Sequence, residues 1–284
     1  MAEALLRAER VSLSFGGLKA VSDFDLALQQ GALDGLIGPN GAGKTTIFNL
    51  LTGVYKPDQG TIHLGDARID GLAPHVIART GLARTFQNIR LFGDLSVLDN
   101  VRIACHARTR SSTLSALLRT RAQQAEERAV EEQSHQLLEI LGLDGRSTET
   151  ARNLPYGAQR RLEILGLDGR STETARNLPY GAQRRLEIAR ALALAPQVLL
   201  LDEPAAGMNP AEKDELRGLI RQVRDRFDLT ILLIEHDMGL VMGLCEQITV
   251  LDHGEVIARG TAAQVQDDPK VIEAYLGSQD EEER

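Results

Sequence analysis

Eight consecutive residues, Gly38-Pro39-Asn40-Gly41-Ala42-Gly43-Lys44-Thr45, fit the spacing G-x-x-x-x-G-K-[ST] at every fixed position. Glycines suit a nest of backbone N–H groups that closes around phosphate oxygens, because no Cβ stands in the way. A helix opening at Thr46 adds the positive end of its dipole. Lys44 can reach β- and γ-phosphates, and the Thr45 hydroxyl can ligate Mg²⁺. The bland alternative is a glycine-rich turn with no ligand. Against it stands the context: an apolar strand expected at Leu33–Ile37, interrupted only by Asp34, and a helix expected over 46–51. The expected ligand is a nucleoside triphosphate.

Transfer of a phosphoryl group to water also needs a metal site and a group that orients or deprotonates the water. The apolar run 198–201 ends in Asp202-Glu203-Pro204. Asp202 is placed to hold a Mg²⁺-bound water. Glu203, one residue on and directed to a different side, can act as general base. Taken alone, Asp-Glu after a strand is as easily a solvated turn; the phosphate loop upstream favours catalysis. His236 follows the apolar strand expected at Thr230–Ile234, where a donor could reach the γ-phosphate. A lone histidine is usually structural, so its weight comes from position alone. Gln87, after a strand expected over 81–86, could touch Mg²⁺ or the attacking water.

The elements that must position these groups alternate between strand and helix. Val11, Leu13 and Phe15 alternate with serines, and Phe24, Leu26 and Leu28 alternate with Asp23, Asp25 and Ala27, giving two half-buried strands around a Gly16-Gly17 turn. A further strand is expected over 60–64. Helical composition without Pro or Gly marks 96–106 and 122–141. The all-apolar runs at 198–201 and 230–234 read as buried parallel strands. A helix fits 211–226, short strands fit 248–251 and 255–258, and the charge run 279–284 reads as a disordered acidic tail. One feature breaks the alternation: 138–161, LEILGLDGRSTETARNLPYGAQRR, recurs letter for letter at 162–185. A solenoid needs at least three units, so two identical copies read as a tandem duplication.

The chain has 284 residues, 43% of them hydrophobic and 25% charged, as is ordinary for a soluble globular protein. A net charge of −8 argues against nucleic acid as main partner. Cys105 and Cys245, far apart and without ligand spacing, read as small buried hydrophobes in a reducing compartment. Residues 1–10 lack a signal-peptide core, and no apolar run approaches the ~18 residues of a membrane span. A cytoplasmic location is expected.

GPNGAGKT, TFQN, LPYGAQRRLEIARAL, VLLLDEP and LIEHD, in this order, resemble the ATP-binding subunits of ABC transporters along essentially the whole chain. FGGLKAV, DEPAAGMNP, IEHDMGLVM and VIEAYLG resemble one branch, the larger ATPase subunit of branched-chain amino acid importers. The resemblance implies an α/β fold: a P-loop NTPase core with a mostly parallel sheet, an antiparallel β subdomain and a helical subdomain at about 88–190, in one ABC ATPase domain over 1–278. It implies ATP and Mg²⁺, with Phe15 on adenine, Gly38, Pro39, Asn40, Gly41, Ala42, Gly43, Lys44, Thr45 and Thr46 around the phosphates, and Thr45, Gln87 and Asp202 toward the metal. Glu203, His236 and Gln87 take the catalytic positions, Gln87 also linking nucleotide to the membrane subunit. Tyr180 and Gly181 meet the ATP held by a second ATPase subunit, the two arranged head to tail. Permease subunits would hold the protein on the cytoplasmic face of the inner membrane, with a substrate-binding protein as indirect partner. Other readings are a relative serving urea, another amide or lipid export, a soluble ABC ATPase acting on DNA or ribosomes, and an inactive duplication product. The chain departs from the usual Leu-Ser-Gly-Gly-Gln at Leu178-Pro179-Tyr180-Gly181-Ala182, and has Asn209 where Asp is usual.

The duplication supplies a second copy of that signature at Leu154-Pro155-Tyr156-Gly157-Ala158. Only the downstream copy runs on through LEIARALALAPQ into the Asp202 strand, so 178–182 is expected in the working position and 146–169 as a surface excursion. Lengthening a flexible loop costs only ~0.6 kcal/mol per doubling. Gly181→Asp should therefore severely impair ATP-driven dimerisation and hydrolysis, because its carboxylate would oppose the γ-phosphate, whereas Gly157→Asp should be mild. Equal damage, or damage only from the second, would reverse the assignment.

Overall fold

The computed structural model describes residues 4–108, 121–143 and 178–282. Along the chain the elements are β1 (Ala4–Phe15), β2 (Leu18–Gln29), β3 (Leu33–Ile37), α1 (Lys44–Leu51), β4 (Gln59–Leu64), β5 (Ala67–Arg68), α2 (Pro74–Thr80), β6 (Leu82–Arg84), α3 (Val97–His106) and α4 (Arg121–Ile140). They continue with α5 (Tyr180–Ala193), β7 (Val198–Asp202), α6 (Pro210–Phe227), β8 (Thr230–Ile234), α7 (Met238–Leu244), β9 (Ile248–Asp252), β10 (Glu255–Gly260), α8 (Ala262–Gln266) and α9 (Pro269–Glu282). The chain divides into two compact units, Met1–Gln87 with Pro196–Arg284, and Asn88–Ala195.

The first unit contains two sheets. One is antiparallel, in the order β2-β1-β4-β5, and the other runs β10-β9-β3-β8-β7-β6. In the second sheet β3 lies parallel to β8 and β9, and β7 lies parallel to β6 and β8. Only β10 runs antiparallel to its neighbour. The strands before the phosphate loop and before Asp202 thus have the parallel neighbours their apolar runs demand, because strands buried on both faces leave no room for alternation. Val198, Leu199, Leu200 and Leu201, and Ile231 to Ile234, are all fully buried. Phe24, Leu28 and Ile62 of the antiparallel sheet, Ile47 and Phe48 of α1, and Leu36, Leu200 and Leu232 of the parallel sheet share one hydrophobic cluster. Helix α1 contributes Ile47, Phe48, Leu50 and Leu51 to that cluster, and Ala42 anchors the loop before it to the same cluster.

The second unit packs α3, α4 and α5 against one another. Ser96 caps α3 by accepting from the Asp99 N–H. Helix α4 ends at Ile140 and is followed by a turn with Gly142 left-handed and the Leu143 N–H bonded to Leu138 O at 2.8 Å; Leu137, Leu138, Leu141 and Leu143 are buried. Cys105 and Cys245 are free and buried. No helix among the described residues is long and apolar enough to cross a membrane.

Several boundaries differ from those read in the sequence. Strand β1 starts at Ala4, because Ala4, Leu6 and Ala8 already alternate inward while Arg7 and Glu9 take the other face. Strand β2 likewise starts at Leu18. Helix α1 begins at Lys44, two residues early, since left-handed Gly43 (φ +101°) turns the chain directly into it. Strand β6 keeps only three residues, being the edge of its sheet. Helix α7 was hidden by Gly239 and Gly243; it forms because the Asp237 side chain caps it at the Leu240 N–H. The charge run read as disordered belongs to α9 as far as Glu282. The upstream signature copy and the segment 146–169 lie outside the described residues.

Asp34, the polar interruption in β3, is partly buried, and its Oδ1 has no hydrogen-bond partner among the described residues. Burial pushes its pKa from 3.8 up to about 6, with the Gln247 backbone opposing and Glu246 adding to the rise. Between those values the folded carboxyl keeps a proton the unfolded chain has released, so raising pH disfavours folding. Chemical unfolding of the full chain should show this contribution falling as pH rises from 3.8 to about 6, and Asp34→Asn should remove that slope. Parallel pH profiles for the two proteins would contradict the assignment.

Candidate functional site

Parallel strands deliver their C-terminal ends to one edge of a sheet, and here β3, β6, β7 and β8 each end in a candidate functional residue or loop. Strand β3 ends in the loop Gly38 to Gly43. Its backbone requires glycine at two places: a Cβ at Gly38 (φ +151°) would lie 2.1 Å from Leu251 O, and one at Gly43 would lie 2.8 Å from Ala20 O. The loop is also held from outside, Gly254 of the β9–β10 turn donating to Ala42 O at 3.0 Å. The Lys44 ammonium donates to Gly38 O at 2.7 Å and Pro39 O at 2.8 Å, curling over its own loop. Burial pushes its pKa down, while the charges of Glu203 and Asp202 push it back up. Thr45 and Thr46 follow in the first turn of α1, Thr45 exposed.

Strand β7 brings Asp202 and Glu203. Asp202 is 2% exposed, and its Oδ2 accepts from Arg84 Nη2 at 2.6 Å. Glu203 leaves the strand in the left-handed region (φ +45°), rare for a residue with a side chain, while its N–H still bonds Ile234 O at 2.9 Å. Such a backbone costs on the order of 1–3 kcal/mol and persists only where the surroundings enforce it. The two adjacent carboxylates meet different partners, Asp202 the Arg84 guanidinium and Glu203 the Gln87 amide. Gln87, just past β6, donates from Nε2 to Glu203 Oε2 at 2.7 Å. His236, just past β8, has Nδ1 at 3.8 Å from Glu203 Oε2 and from Glu235 Oε2. Gln87, Glu203 and His236 are therefore brought together, with Lys44 close enough to feel both carboxylates.

The remaining candidates belong to other elements. Phe15, at the end of β1, is 45% exposed and meets Tyr55 edge-on at 5.2 Å between ring centroids. Tyr180 and Gly181 are in the second unit, at the N-terminus of α5. There Pro179 is the N-cap, and Arg184, fully buried, bonds Glu187 Oε2 at 2.7 Å and reaches the Tyr180 hydroxyl at 3.4 Å. Asn209 caps α6 in a reciprocal box with Glu212.

Two residues of the site were missed in the sequence. One is Arg84. The other is Glu235, fully buried, which accepts from the N–H groups of Ala205 at 2.7 Å, His236 at 3.1 Å and Asp237 at 3.4 Å. Burial pushes its pKa up; the Ala205 and Asp237 N–H groups pull it back down. The only available signal was a carboxylate directly after an all-apolar strand. Glu235→Ala strands three backbone donors and should cost about 1–3 kcal/mol of stability. Glu235→Gln keeps one acceptor oxygen and should cost less. Urea denaturation checks the order, and equal losses would contradict the role of the second oxygen.

The family model for ABC transporters matches residues 21–206, and that for the branched-chain amino acid ATP-binding cassette transporter matches 255–281. The chain is 43% identical over 277 residues to the high-affinity branched-chain amino acid transport ATP-binding protein LivG of Escherichia coli (strain K12), covering 98% of this chain and 99% of LivG. It is 42% identical over 277 residues to BraF of Pseudomonas aeruginosa, with the same coverage. A solved nucleotide-free ATP-binding cassette from an ABC transporter superposes with a TM-score of 0.75 at 27% identity, covering 96% of this chain and 98% of that one. With its two sheets, its phosphate loop and the residues at the strand ends, the chain belongs to the ABC transporter family, as an ATP-binding cassette and ATPase.

Proposed function

We propose that this cassette hydrolyses ATP, with Mg²⁺, to power import of branched-chain amino acids. Two observations support the two halves of that reading. For the chemistry it is the convergence of the phosphate loop, Asp202, Glu203, His236 and Gln87 on one sheet edge. For the cargo it is the 43% identity along nearly the whole of LivG, whose name specifies branched-chain amino acid transport.

Phe15 offers an aromatic face to adenine. The loop N–H groups and the α1 N-terminus receive the phosphates, and Lys44 exchanges its two loop carbonyls for β- and γ-phosphate oxygens. The residues suit a hard cation. The Thr45 hydroxyl and a single buried carboxylate, Asp202, are oxygen donors, and Mg²⁺ in such sites relies on one or two carboxylates plus substrate phosphates. No cluster of three His, Cys, Asp or Glu that could hold a metal alone exists among the described residues, which suits a cation that arrives with its nucleotide. Thr45, Asp202 and, at the periphery, Gln87 would hold it. When bound, it neutralises charge on the phosphates. Glu203 takes the proton from the attacking water, and His236 donates toward the γ-phosphate. Gln87, bonded to Glu203, is placed to pass the state of a permease subunit to the base.

Residues 1–278 act as one cassette, with a helical part at about 88–190 and an acidic tail at 279–284. Tyr180 and Gly181 serve the nucleotide of a second cassette, head to tail with this one. Permease subunits hold the pair on the cytoplasmic face of the inner membrane, and a substrate-binding protein delivers the cargo. Co-purification from membranes followed by reconstitution into vesicles tests this: leucine, isoleucine or valine should stimulate hydrolysis. Stimulation only by an unrelated solute would overturn the choice of cargo.

Glu203→Gln should retain ATP binding, favour an ATP-bound dimer and lower turnover by about 10²–10⁴-fold, because an amide cannot take the proton. Lys44→Ala should instead weaken ATP binding. Phosphate release and equilibrium binding separate the two, and a Glu203→Gln protein with normal turnover would remove Glu203 from the role of base.

A further inference from the structure

Arg84 is the last residue of β6, and its side chain is 6% exposed. A buried guanidinium in an edge strand needs partners, and it finds them in two different elements. Its Nη2 donates to Asp202 Oδ2 at 2.6 Å, while its Nη1 donates to Asn49 Oδ1 at 2.7 Å and reaches Thr52 Oγ1 at 3.5 Å. Asn49 belongs to α1 and Thr52 is the C-cap of that helix. The guanidinium carbon lies 5.4 Å from the Phe48 ring centroid and 5.2 Å from that of Phe86, so aromatic faces hold the planar fork in place. One rigid cation thus joins the helix that begins with Lys44 and Thr45 to the carboxylate that ends β7.

We infer that Arg84 is a positioning residue for the divalent cation of the ATP complex: it fixes the Asp202 carboxylate relative to α1 by occupying Oδ2 and leaving Oδ1 outside that bond. This rests on Asp202 being the carboxylate on the metal side. A monodentate hydrogen bond from a planar, anchored donor restricts rotation about the carboxylate's own axis, which a lone carboxylate at a strand end would otherwise retain. Partners that orient a metal-binding carboxylate contribute to metal affinity although they never touch the ion. Lysine is a poor substitute, because one ammonium on a flexible stem does not present the same fixed pair of donors to Asn49 and Asp202. A bond made only to stabilise the fold would leave metal affinity unchanged once the protein had folded.

Thermal melting of the full chain, saturated with a non-hydrolysable ATP analogue and titrated with Mg²⁺, reads the half-saturating Mg²⁺ concentration without turnover. Arg84→Gln should raise it by about 10–100-fold, the usual effect of losing an orienting partner. Arg84→Lys should fall between Arg84→Gln and wild type, and Asp202→Asn should raise it as well. A cooperatively melting Arg84→Gln protein with the wild-type Mg²⁺ dependence would overturn the inference while leaving Asp202 in place. An unchanged Mg²⁺ dependence in Asp202→Asn would instead overturn the reading on which it rests. If Arg84→Gln does not fold, Asn49→Ala decides: it keeps the ion pair but frees the other end of the fork. A rise in half-saturating Mg²⁺ supports the inference, and no change overturns it.

Discussion

Negative charge is concentrated at the ends of β7 and β8, and the site is organised by how each carboxylate there is answered. Asp202, Glu203 and Glu235 all stand at strand ends of the same parallel sheet as the glycine-rich loop 38–43. Burying an unpaired carboxylate is costly, so each is answered locally. Asp202 is paired with Arg84, Glu203 accepts from Gln87, and Glu235 accepts from three backbone N–H groups. Lys44 contributes a charge that all phosphate and carboxylate oxygens nearby can share, and Glu203 and Asp202 oppose the downward push of burial on its pKa. The answers differ in kind. An Arg pair is permanent and directional, an amide bond is readily exchanged, and backbone donors cannot leave.

Glu235 also shows how the loops after β7 and β8 come to act as one body. Its Oε1 holds the Ala205 N–H after β7, and its Oε2 holds those of His236 and Asp237 after β8. Asp237 extends the connection by capping α7 and by bonding Lys213 of α6 at 2.5 Å. Asn209 starts α6 with its own reciprocal cap. The loop after Glu203 is therefore tied to His236 through the two oxygens of Glu235. Where the usual aspartate is replaced by Asn209, the cap survives, because an amide oxygen accepts the Glu212 N–H as well as a carboxylate does.

The chemistry-bearing loop and the buried parallel strands were legible because both have strong local causes. A phosphate nest demands glycines at set places, and a strand buried on both faces shows an unbroken apolar run, as at 198–201 and 231–234. Arg84 and Glu235 were not legible, since their causes are distant in sequence. Arg84 meets Asp202 across 118 positions, and Glu235 meets Ala205 across 30. The left-handed backbone at Glu203 has no compositional sign at all. Helix α7 was obscured for the opposite reason: its two glycines argue against helix locally, and the Asp237 cap outweighs them.

The repeated 24-residue segment has its outer junctions in two described helices, its head in α4 and its tail in α5. Copying a whole 24-residue unit in place leaves the chain upstream of the first copy and downstream of the second unaltered. Helix α4 includes Leu138 at the head of the first copy, and both Leu138 and Leu141, just past the helix, are buried. Helix α5 starts inside the tail of the second copy and runs on through Leu186, Ile188 and Leu192, all buried, to the turn before β7. Each helix keeps its own apolar set, and neither must borrow a residue from the opposite copy. A duplication offset by half a helical turn within either helix would have rotated its apolar stripe away from its neighbours, at a cost per buried side chain of about 1.5–3 kcal/mol. Neither described helix shows such an offset: Leu138 on α4 and Leu186, Ile188 and Leu192 on α5 are all buried.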